Sequence, residues 1–359
     1  FASKLPIIDL LVREAGFDVV ALEAPFTVMN DLETYIQGGP GNPRALLHAI
    51  GSLYFFWDSE EVVAAVEWMR EYNAHRGQKP AVHIAGFDSF LPYPASRAVL
   101  AYLNSVDPAG APTALTQYAC VTSETQFITP SCAVQARAVR DSLTEREAEL
   151  TAKSSPASFQ EALQNARVVA QNEFSSGLQR DRAMSENARW LRQYRGASRK
   201  IILWGHNFHF SKTATEWIGA EPMGKLLLDS LGDEYFVVGT LSAAGSFRQW
   251  DFRKQVTVTT TILPLQPTSI ETHLRQRGEP FLLVPLRGVL PSWLANPARY
   301  NTGGTVVAPN LLAIVESLPE HYDAALFIDT IAPITPIQIN GFRQAGVCCA
   351  SAAGAADFR

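Results

Sequence analysis

The sequence predicts an α/β protein with a mainly parallel central sheet flanked by helices and an inserted helical region. Short apolar runs typical of buried strands alternate with segments of helical periodicity toward both ends of the chain. Residues 107–179 instead show helical spacing and a weak strand signal. We therefore expect residues 1–106 and 180–340 to form two parts of one α/β core, with 107–179 inserted between them. The small-residue-rich segment 341–359 is expected to be a mobile tail.

The first predicted pair is a helix followed by a strand. Apolar residues follow helical spacing after Ser3, and Gly16 can end that helix because glycine readily adopts the left-handed conformation. The apolar run from Phe17 to Leu22 predicts a buried strand, and Glu23 follows it directly.

A second helix and strand follow the same order. Asp58 and Glu61 fit a capping box at the start of a helix that ends near Gly77. The run from Ala81 to Ala85 predicts a strand that leads to Asp88. Repeated helix and strand units of this kind favour a parallel sheet.

The remaining predicted elements continue the pattern after the helical region. Helices are expected at 133–153, 158–173, 184–194, 221–231 and 269–276. Strands are expected at 201–204, 235–240, 256–263, 281–284 and 324–328.

Composition favours a large enzyme over a small binding module. With 359 residues and 47% hydrophobic content the chain can fill an extensive core. The net charge of -5, without a basic block, argues against a nucleic-acid partner, and no apolar run is long enough for a membrane span. Four cysteines, two of them adjacent, do not suggest a disulfide framework, so we expect a reducing, cytoplasmic compartment. The oligomeric state is left open.

Three predicted strands each end at a side chain that can carry chemistry. Glu23, Asp88 and His206 follow the runs that end at Leu22, Ala85 and Trp204, and His209 lies three residues after His206. The carboxyl ends of parallel strands meet at one edge of a sheet, where open α/β sheets bind ligands. The sequence therefore predicts an active site with His206 as its leading catalytic candidate.

The sequence lacks the motifs of several common reaction types and cofactors. The spacing of a serine-hydrolase elbow, a P-loop and a dinucleotide fingerprint are all missing, so we expect no nucleotide cofactor. His206 and His209 lack the glutamate of the zincin motif, and no metal is assigned. A histidine with nearby carboxylates is most simply explained by acid–base activation of water.

Structural explanations stay open for each candidate. A histidine at a strand end is often only a hydrogen-bonding residue, and solvent exposure explains His209 equally well. Glu23 would be costly at the end of a buried strand without a partner. Asp88 could cap the following helix, and Arg180 with Asp181 could form a surface pair.

Several segments follow one another along residues 1 to 335. They are Gly16 to Glu23, Tyr35 to Gly41, Glu61-Val62 with Glu67 to Arg70, Gly86 to Asp88, Arg97 to Leu103, Asn165 to Arg167, Arg180 to Met184, Trp204 to His209 and Tyr322 to Thr330. In this order they resemble the erythromycin esterase family. The resemblance is modest for each segment and specific in combination.

The resemblance implies an α/β core with added helices and metal-independent hydrolysis of a macrolide lactone. It matches His206 and His209 to the family's paired histidines, which would polarise the carbonyl or stabilise the oxyanion. Glu23 matches the strand-end glutamate that orients or tunes the base. Six further residues are predicted to contact an apolar, polyketide-like substrate: Lys4, Asp88, Arg180, Asn207, Trp204 and Phe26.

Members of this family also carry a Gly-Glu-x-x-His-Gly segment just before the position of Phe1, and its histidine is the proposed base. We expect such a segment upstream of Phe1, because a helix with its own strand partner begins at the first residues. If the protein has shed the segment, His206 would have to act as the base. A non-hydrolytic natural-product tailoring step, such as cyclisation or elimination, and a degenerate binding protein are the alternative functions.

Overall fold

The computed structural model describes residues 1–50, 54–173, 177–196, 198–214, 221–251, 253–254, 256–301 and 313–338. The tail predicted at 341–359 lies outside these residues. None of the described helices is long and apolar enough to cross a membrane.

A three-stranded parallel sheet holds the strands that the sequence predicted to meet. β1 (Phe17–Pro25) lies at its centre, between β2 (His83–Asp88) and β3 (Lys200–Trp204). The register pairs Leu22 with both Gly86 and Trp204, so the carboxyl ends of all three strands reach the same edge. The prediction of a parallel sheet flanked by helices is confirmed.

Alternate residues of the central strand pack into two separate hydrophobic clusters. Val20 and Leu22 belong to one cluster, whereas Ala21 belongs to the other. Such alternation is what a strand buried on both faces requires. The helices of this part are α1 (Lys4–Ala15), α2 (Met29–Ile36), α3 (Pro43–His48), α4 (Glu60–His75), α5 (Tyr93–Val106) and α10 (Gly177–Arg195).

Two predicted helix boundaries have different outcomes. Gly16 ends α1 with a φ of 70°, as expected for a left-handed cap. The capping box predicted from Asp58 and Glu61 is wrong. Ser59 is the residue before α4, while Asp58 contacts His48 and Glu61 accepts hydrogen bonds from Thr335. Both carboxylates therefore make tertiary contacts instead of capping the helix.

The middle of the chain is helical. It forms α6 (Ala111–Gln117), α7 (Pro130–Glu145), α8 (Glu147–Ala152) and α9 (Pro156–Gln171), and α9 packs against both α5 and α7. α10 begins at Gly177, before the boundary at 180 that the sequence suggested. Whether residues 107–179 form a separate insertion stays a prediction.

A disulfide joins Cys120 to Cys132 at the start of α7, a bond that the sequence did not indicate. Counting cysteines could not reveal it, because the pairing depends on how the chain folds between them. This bond does not support the reducing compartment expected from the sequence.

The rest of the chain contributes six strands and four helices to the described residues. The strands are β4 (Val238–Asp251), β5 (Val256–Thr261), β6 (Phe281–Pro285), β7 (Ala298–Asn301), β8 (Ala313–Glu316) and β9 (Ala324–Ile331), and the helices are α11 (Met223–Leu231), α12 (Ile270–Arg275), α13 (Ser292–Ala295) and α14 (Leu318–His321). A second, mixed sheet has the order β5-β4-β9-β6. β4 and β9 are parallel, and their outer neighbours are antiparallel to them. A separate hairpin pairs β7 with β8.

Candidate active site

Glu23 lies near the end of β1 and is almost completely buried. One carboxylate oxygen, Oε1, accepts a hydrogen bond from Nη2 of Arg180 at 2.7 Å. The other, Oε2, accepts from the backbone N–H of His206, also at 2.7 Å. Burial alone would raise the pKa of Glu23, but His209, Arg180 and the His206 N–H outweigh it and lower the pKa to about 2. The side chain is therefore a buried anion with partners for both oxygens.

Gly205 explains how the chain can pass so close to this carboxylate. A Cβ atom at position 205 would lie 2.7 Å from Oε2 of Glu23 and 2.8 Å from its Cβ. No side chain fits there without displacing Glu23. Glycine thus lets β3 turn directly into the histidine segment.

Arg180 connects two strand ends. Besides Glu23, its guanidinium donates to Oδ2 of Asp88 from Nη2 at 2.6 Å and from Nε at 3.2 Å. Its carbon Cζ lies 4.5 Å from the centre of the Phe90 ring. Burial would lower the pKa of Arg180, but Asp88 and Glu23 raise it well above the ordinary value. Arg180 is therefore a permanent, largely buried cation and not part of a surface pair.

Asp88 is fully buried and also accepts a hydrogen bond from the hydroxyl of Tyr54 at 2.9 Å. The alternative that Asp88 caps the next helix is wrong, since α5 begins at Tyr93 with Pro92 before it. The two carboxylates and one guanidinium form a compact charged network at the strand edge.

His209 lies against this network. Its Nδ1 is 2.7 Å from Oδ1 of Asp181, and its Nε2 is 3.5 Å from Oε1 of Glu23. Burial would lower the pKa of His209, but Asp181 and Glu23 outweigh it and raise the pKa above 6.5. Two flanking carboxylates therefore favour the imidazolium form.

One contact points the other way. Nη1 of Arg180 lies 3.0 Å from Nε2 of His209, a distance that suits a neutral ring accepting a hydrogen bond. The two carboxylates outweigh this contact, because Arg180 is already held by Glu23 and Asp88 through its other nitrogens.

His206 is half-buried and precedes the 3-10 turn Asn207–Phe210. Its Nδ1 accepts a hydrogen bond from the backbone N–H of Phe208 at 3.4 Å. With Nδ1 as an acceptor, the neutral ring carries its proton on Nε2. The centres of the His206 and His209 rings are 6.3 Å apart. Glu23 contacts the backbone of His206, not its imidazole.

Lys4 and Asn207 meet at Thr240 in β4. The side chain of Asn207 donates to the carbonyl of Thr240 at 2.8 Å and accepts from its N–H at 3.2 Å. The Lys4 Nζ donates to the Thr240 hydroxyl at 2.9 Å. Burial lowers the pKa of Lys4 to about 8. The histidine segment is thereby tied to the second sheet.

Phe26 and Trp204, two predicted substrate contacts, pack in the hydrophobic clusters. Phe26 lies edge-on against Trp190, and Trp204 lies against Trp57 and Phe1. Each of the two is 8% exposed. Packing accounts for both positions, and substrate contact stays a prediction.

Sequence reasoning missed the roles of Asp181, Tyr54 and Thr240. Asp181 is 2% exposed, accepts from the N–H of Met223 and contacts His209. Its place beside Arg180 in a helical segment was the available signal, but helical position alone does not show which face is buried. Tyr54 and Thr240 have no such signal. Among the described residues, no group of three or more His, Cys, Asp or Glu has a metal-binding arrangement.

Fold and site together define an α/β protein with an acid–base cluster at the carboxyl edge of a parallel sheet. The family model of erythromycin esterase matches residues 12–331, and the chain belongs to that family. This membership supports a hydrolase at the family level.

Known relatives agree with this assignment. A Bacillus subtilis (strain 168) protein named "Putative hydrolase YbfO" is 23% identical over 377 residues, covering 92% of this chain and 80% of the relative. A crystal structure of a Bacillus cereus protein superposes with a TM-score of 0.81 at 24% identity, covering 93% of this chain and 86% of that one. A mutant of the erythromycin esterase EreC in its open conformation gives 0.70 at 15% identity, covering 90% and 85%. These structures show that the fold is shared.

Proposed function

We propose that the protein hydrolyses an ester or lactone of an apolar, macrolide- or polyketide-like small molecule. The observation that carries the proposal is the cluster in which Arg180, His206 and His209 surround Glu23. The imidazoles of His206 and His209, held beside this buried anion, can donate hydrogen bonds to the negative charge that develops on an ester carbonyl oxygen. Family membership supports the same class of reaction.

The two histidines would act on the substrate. His206 carries a proton on Nε2, which can donate to the carbonyl oxygen. His209, favoured as an imidazolium, can donate to the oxyanion or to the departing alkoxide. This geometry fits hydrogen-bond donation by His206 better than proton acceptance. The family resemblance implies a further histidine as the base, and within this chain His206 is the alternative.

Glu23 would be a positioning residue. It fixes the backbone of His206 and favours the protonated form of His209. In the reaction, water attacks the carbonyl carbon and gives its proton to the base. The ester C–O bond then breaks, and the alkoxide takes a proton from His209. Atoms and charge balance without a cofactor.

Aromatic side chains beside the cluster support an apolar substrate. Phe90 lies beneath Arg180, and Phe127 packs edge-on against Phe90 with ring centres 4.5 Å apart. Phe208 lies against His206 with ring centres 5.0 Å apart. These three rings are only partly buried. Such rings suit a large apolar ligand.

The test is turnover of erythromycin, and then of a panel of lactones and aryl esters, in water enriched in oxygen-18. Hydrolysis adds one water, and the label must enter the new carboxylate. A product without added water would support the non-hydrolytic tailoring reaction. Saturable binding of these compounds without any product would support a degenerate binding protein. Either result would overturn the proposal.

Two substitutions test the assigned residues. His206→Ala is expected to abolish turnover with a normal circular dichroism spectrum and melting temperature, whereas His75→Ala, at an exposed position on α4, should leave the rate unchanged. Glu23→Gln is expected to lower kcat by at least about tenfold, the low end for a positioned acid–base group. Near-normal rates in either variant would contradict the corresponding assignment.

A further inference from the structure

A cavity of about 410 Å³ lies between α5 and the segment that runs from α6 to Val121. It shares no residue with the catalytic cluster described above. Its volume falls within the range of small-molecule pockets. Leu100, Leu115, Ala119 and Val121 give it a mainly apolar lining.

The polar lining residues differ in whether their protons are already used. The hydroxyl of Ser96 donates to the carbonyl of Tyr93, and that of Thr116 donates to the carbonyl of Pro112. The remaining polar groups of the lining are the hydroxyls of Tyr93 and Tyr118 and the guanidinium of Arg97. All three are hydrogen-bond donors.

Tyr118 provides a second observation. Its side chain is 3% exposed, and its hydroxyl has no hydrogen-bond partner among the described residues. A buried hydroxyl without a partner costs free energy, and native proteins rarely keep one without a reason. A ligand with an acceptor oxygen would remove that cost.

The charge of Arg97 indicates which kind of acceptor oxygen a ligand of this cavity would carry. Arg97 is exposed at the cavity, and no acidic residue is among those that line it. A guanidinium at the edge of an apolar pocket favours an anionic oxygen over a neutral one. A molecule with an apolar chain and a carboxylate can contact both the apolar side chains and the guanidinium of this lining.

We propose that this cavity binds an apolar carboxylate, such as a medium-chain fatty acid, as a second site separate from the catalytic cluster. The apolar chain lies against Leu100 and Leu115, and the carboxylate accepts hydrogen bonds from Arg97 and Tyr118. The disulfide of Cys120 fixes the adjoining wall to the start of α7. The site does not depend on the proposed hydrolase activity.

The experiment uses the complete chain and two probes of equal length, decanoate and decanol. Calorimetry should show saturable binding of decanoate and binding of decanol at least about tenfold weaker, because only decanoate makes a charge-assisted contact. Equal affinity for the two probes would overturn the anionic part of the proposal. No saturable binding of decanoate would overturn the whole of it.

Leu115→Trp locates the site. Leu115 is 55% exposed at the cavity, so the larger side chain can fill the opening without disturbing the core. It should abolish decanoate binding, whereas Leu10→Trp, at a 58% exposed leucine on α1, should not. Unchanged binding in Leu115→Trp would place the decanoate elsewhere, including the catalytic cluster, and would overturn the assignment.

Arg97→Gln and Tyr118→Phe test the two donors. Arg97→Gln should weaken decanoate binding by about tenfold or more, with Arg277→Gln, an exposed arginine outside the cavity, as control. Tyr118→Phe should keep or raise the melting temperature of the free protein while reducing the stabilisation that decanoate gives. A merely structural Tyr118 would instead show a lower melting temperature and unchanged decanoate affinity, which would overturn its role.

Discussion

Arg180 is the residue on which the charge balance of the site depends. It touches Glu23, Asp88 and His209, and it stays charged at any physiological pH. Two buried carboxylates from neighbouring strands would repel each other without it. The sequence suggested Arg180 by family resemblance, but its pairing with two strand ends became visible only in three dimensions.

Because of His209, the pH dependence of kcat/KM should show a fall on its alkaline side, called here the alkaline limb. Asp181 and Glu23 raise its pKa above 6.5 against the effect of burial. If the imidazolium is the active form, kcat/KM falls as the pH rises through that raised value. Asp181→Asn removes one of the two carboxylates and should move the limb to lower pH. The pH dependence of kcat/KM, measured for the unmodified protein and for Asp181→Asn, shows the limb and its shift.

A matched control is Asp229→Asn, which removes a carboxylate that pairs with Lys225 on the surface of α11. Its profile should match that of the unmodified protein. The raised pKa also stabilises the fold below pH 6.5, and this contribution is lost as the pH rises through the folded-state value. An alkaline limb that does not move in Asp181→Asn would refute the role given to His209.

Among the elements, the turn after β3 shows what local sequence can and cannot indicate. Trp204 to His209 predicted a strand end with functional side chains, and β3 ends there. The sequence did not show that Gly205 makes room for Glu23 or that Asn207 ties the turn to β4. Both contacts join residues far apart in the chain, so periodicity carries no information about them.

The disulfide is the element-scale feature with the clearest effect on stability. It joins cysteines separated by 12 residues across the segment between α6 and α7. Closing a loop of this size limits the unfolded chain and stabilises the fold by about 3 kcal/mol. Cys120→Ser together with Cys132→Ser should lower the free energy of unfolding by about that amount in urea titrations.

Two comparisons check the disulfide prediction. The protein treated with a reductant should lose the same stability, and Cys348→Ser with Cys349→Ser should lose none, because it leaves the Cys120–Cys132 bond intact. If the reductant has no effect on the urea midpoint, the disulfide does not stabilise the protein as argued.

At the scale of the whole molecule, the site depends on both sheets. The three-stranded sheet carries Glu23 and Asp88, and β4 of the second sheet holds Asn207 and Lys4 through Thr240. The parallel arrangement of β1, β2 and β3 follows from alternating helix and strand signals. The mixed sheet could not be predicted in this way, because the strands predicted late in the sequence carry no signal for their direction.

Low pH should destabilise the fold because Glu23 becomes protonated and loses its ionic contacts. Its pKa falls from 4.5 to about 2 in the folded state, because His209, Arg180 and the His206 N–H outweigh burial. A lowered folded-state pKa gives stability that is present above pH 4.5 and is lost as the pH falls toward about 2. The free energy of unfolding, measured by denaturant at several pH values, should decline less steeply in Glu23→Gln.

Glu149→Gln is the informative control. Contacts with Arg146 and Lys153 also lower the pKa of Glu149, but this carboxylate is exposed. Salt screens exposed pairs far more than buried ones. At high salt the effect of Glu149→Gln should vanish while that of Glu23→Gln persists. Equal salt sensitivity in the two variants would contradict the buried network.

The sequence by itself determined the α/β class, the parallel strands and the placement of Glu23, Asp88 and His206 at one sheet edge. Local periodicity and the alternation of helices with strands are sufficient for these, since both can be read along the chain. Only the tertiary structure decided that Arg180 joins two carboxylates, that Asp181 holds His209 and that Cys120 pairs with Cys132. Those contacts depend on which surfaces meet when distant segments pack, and no local pattern encodes that choice.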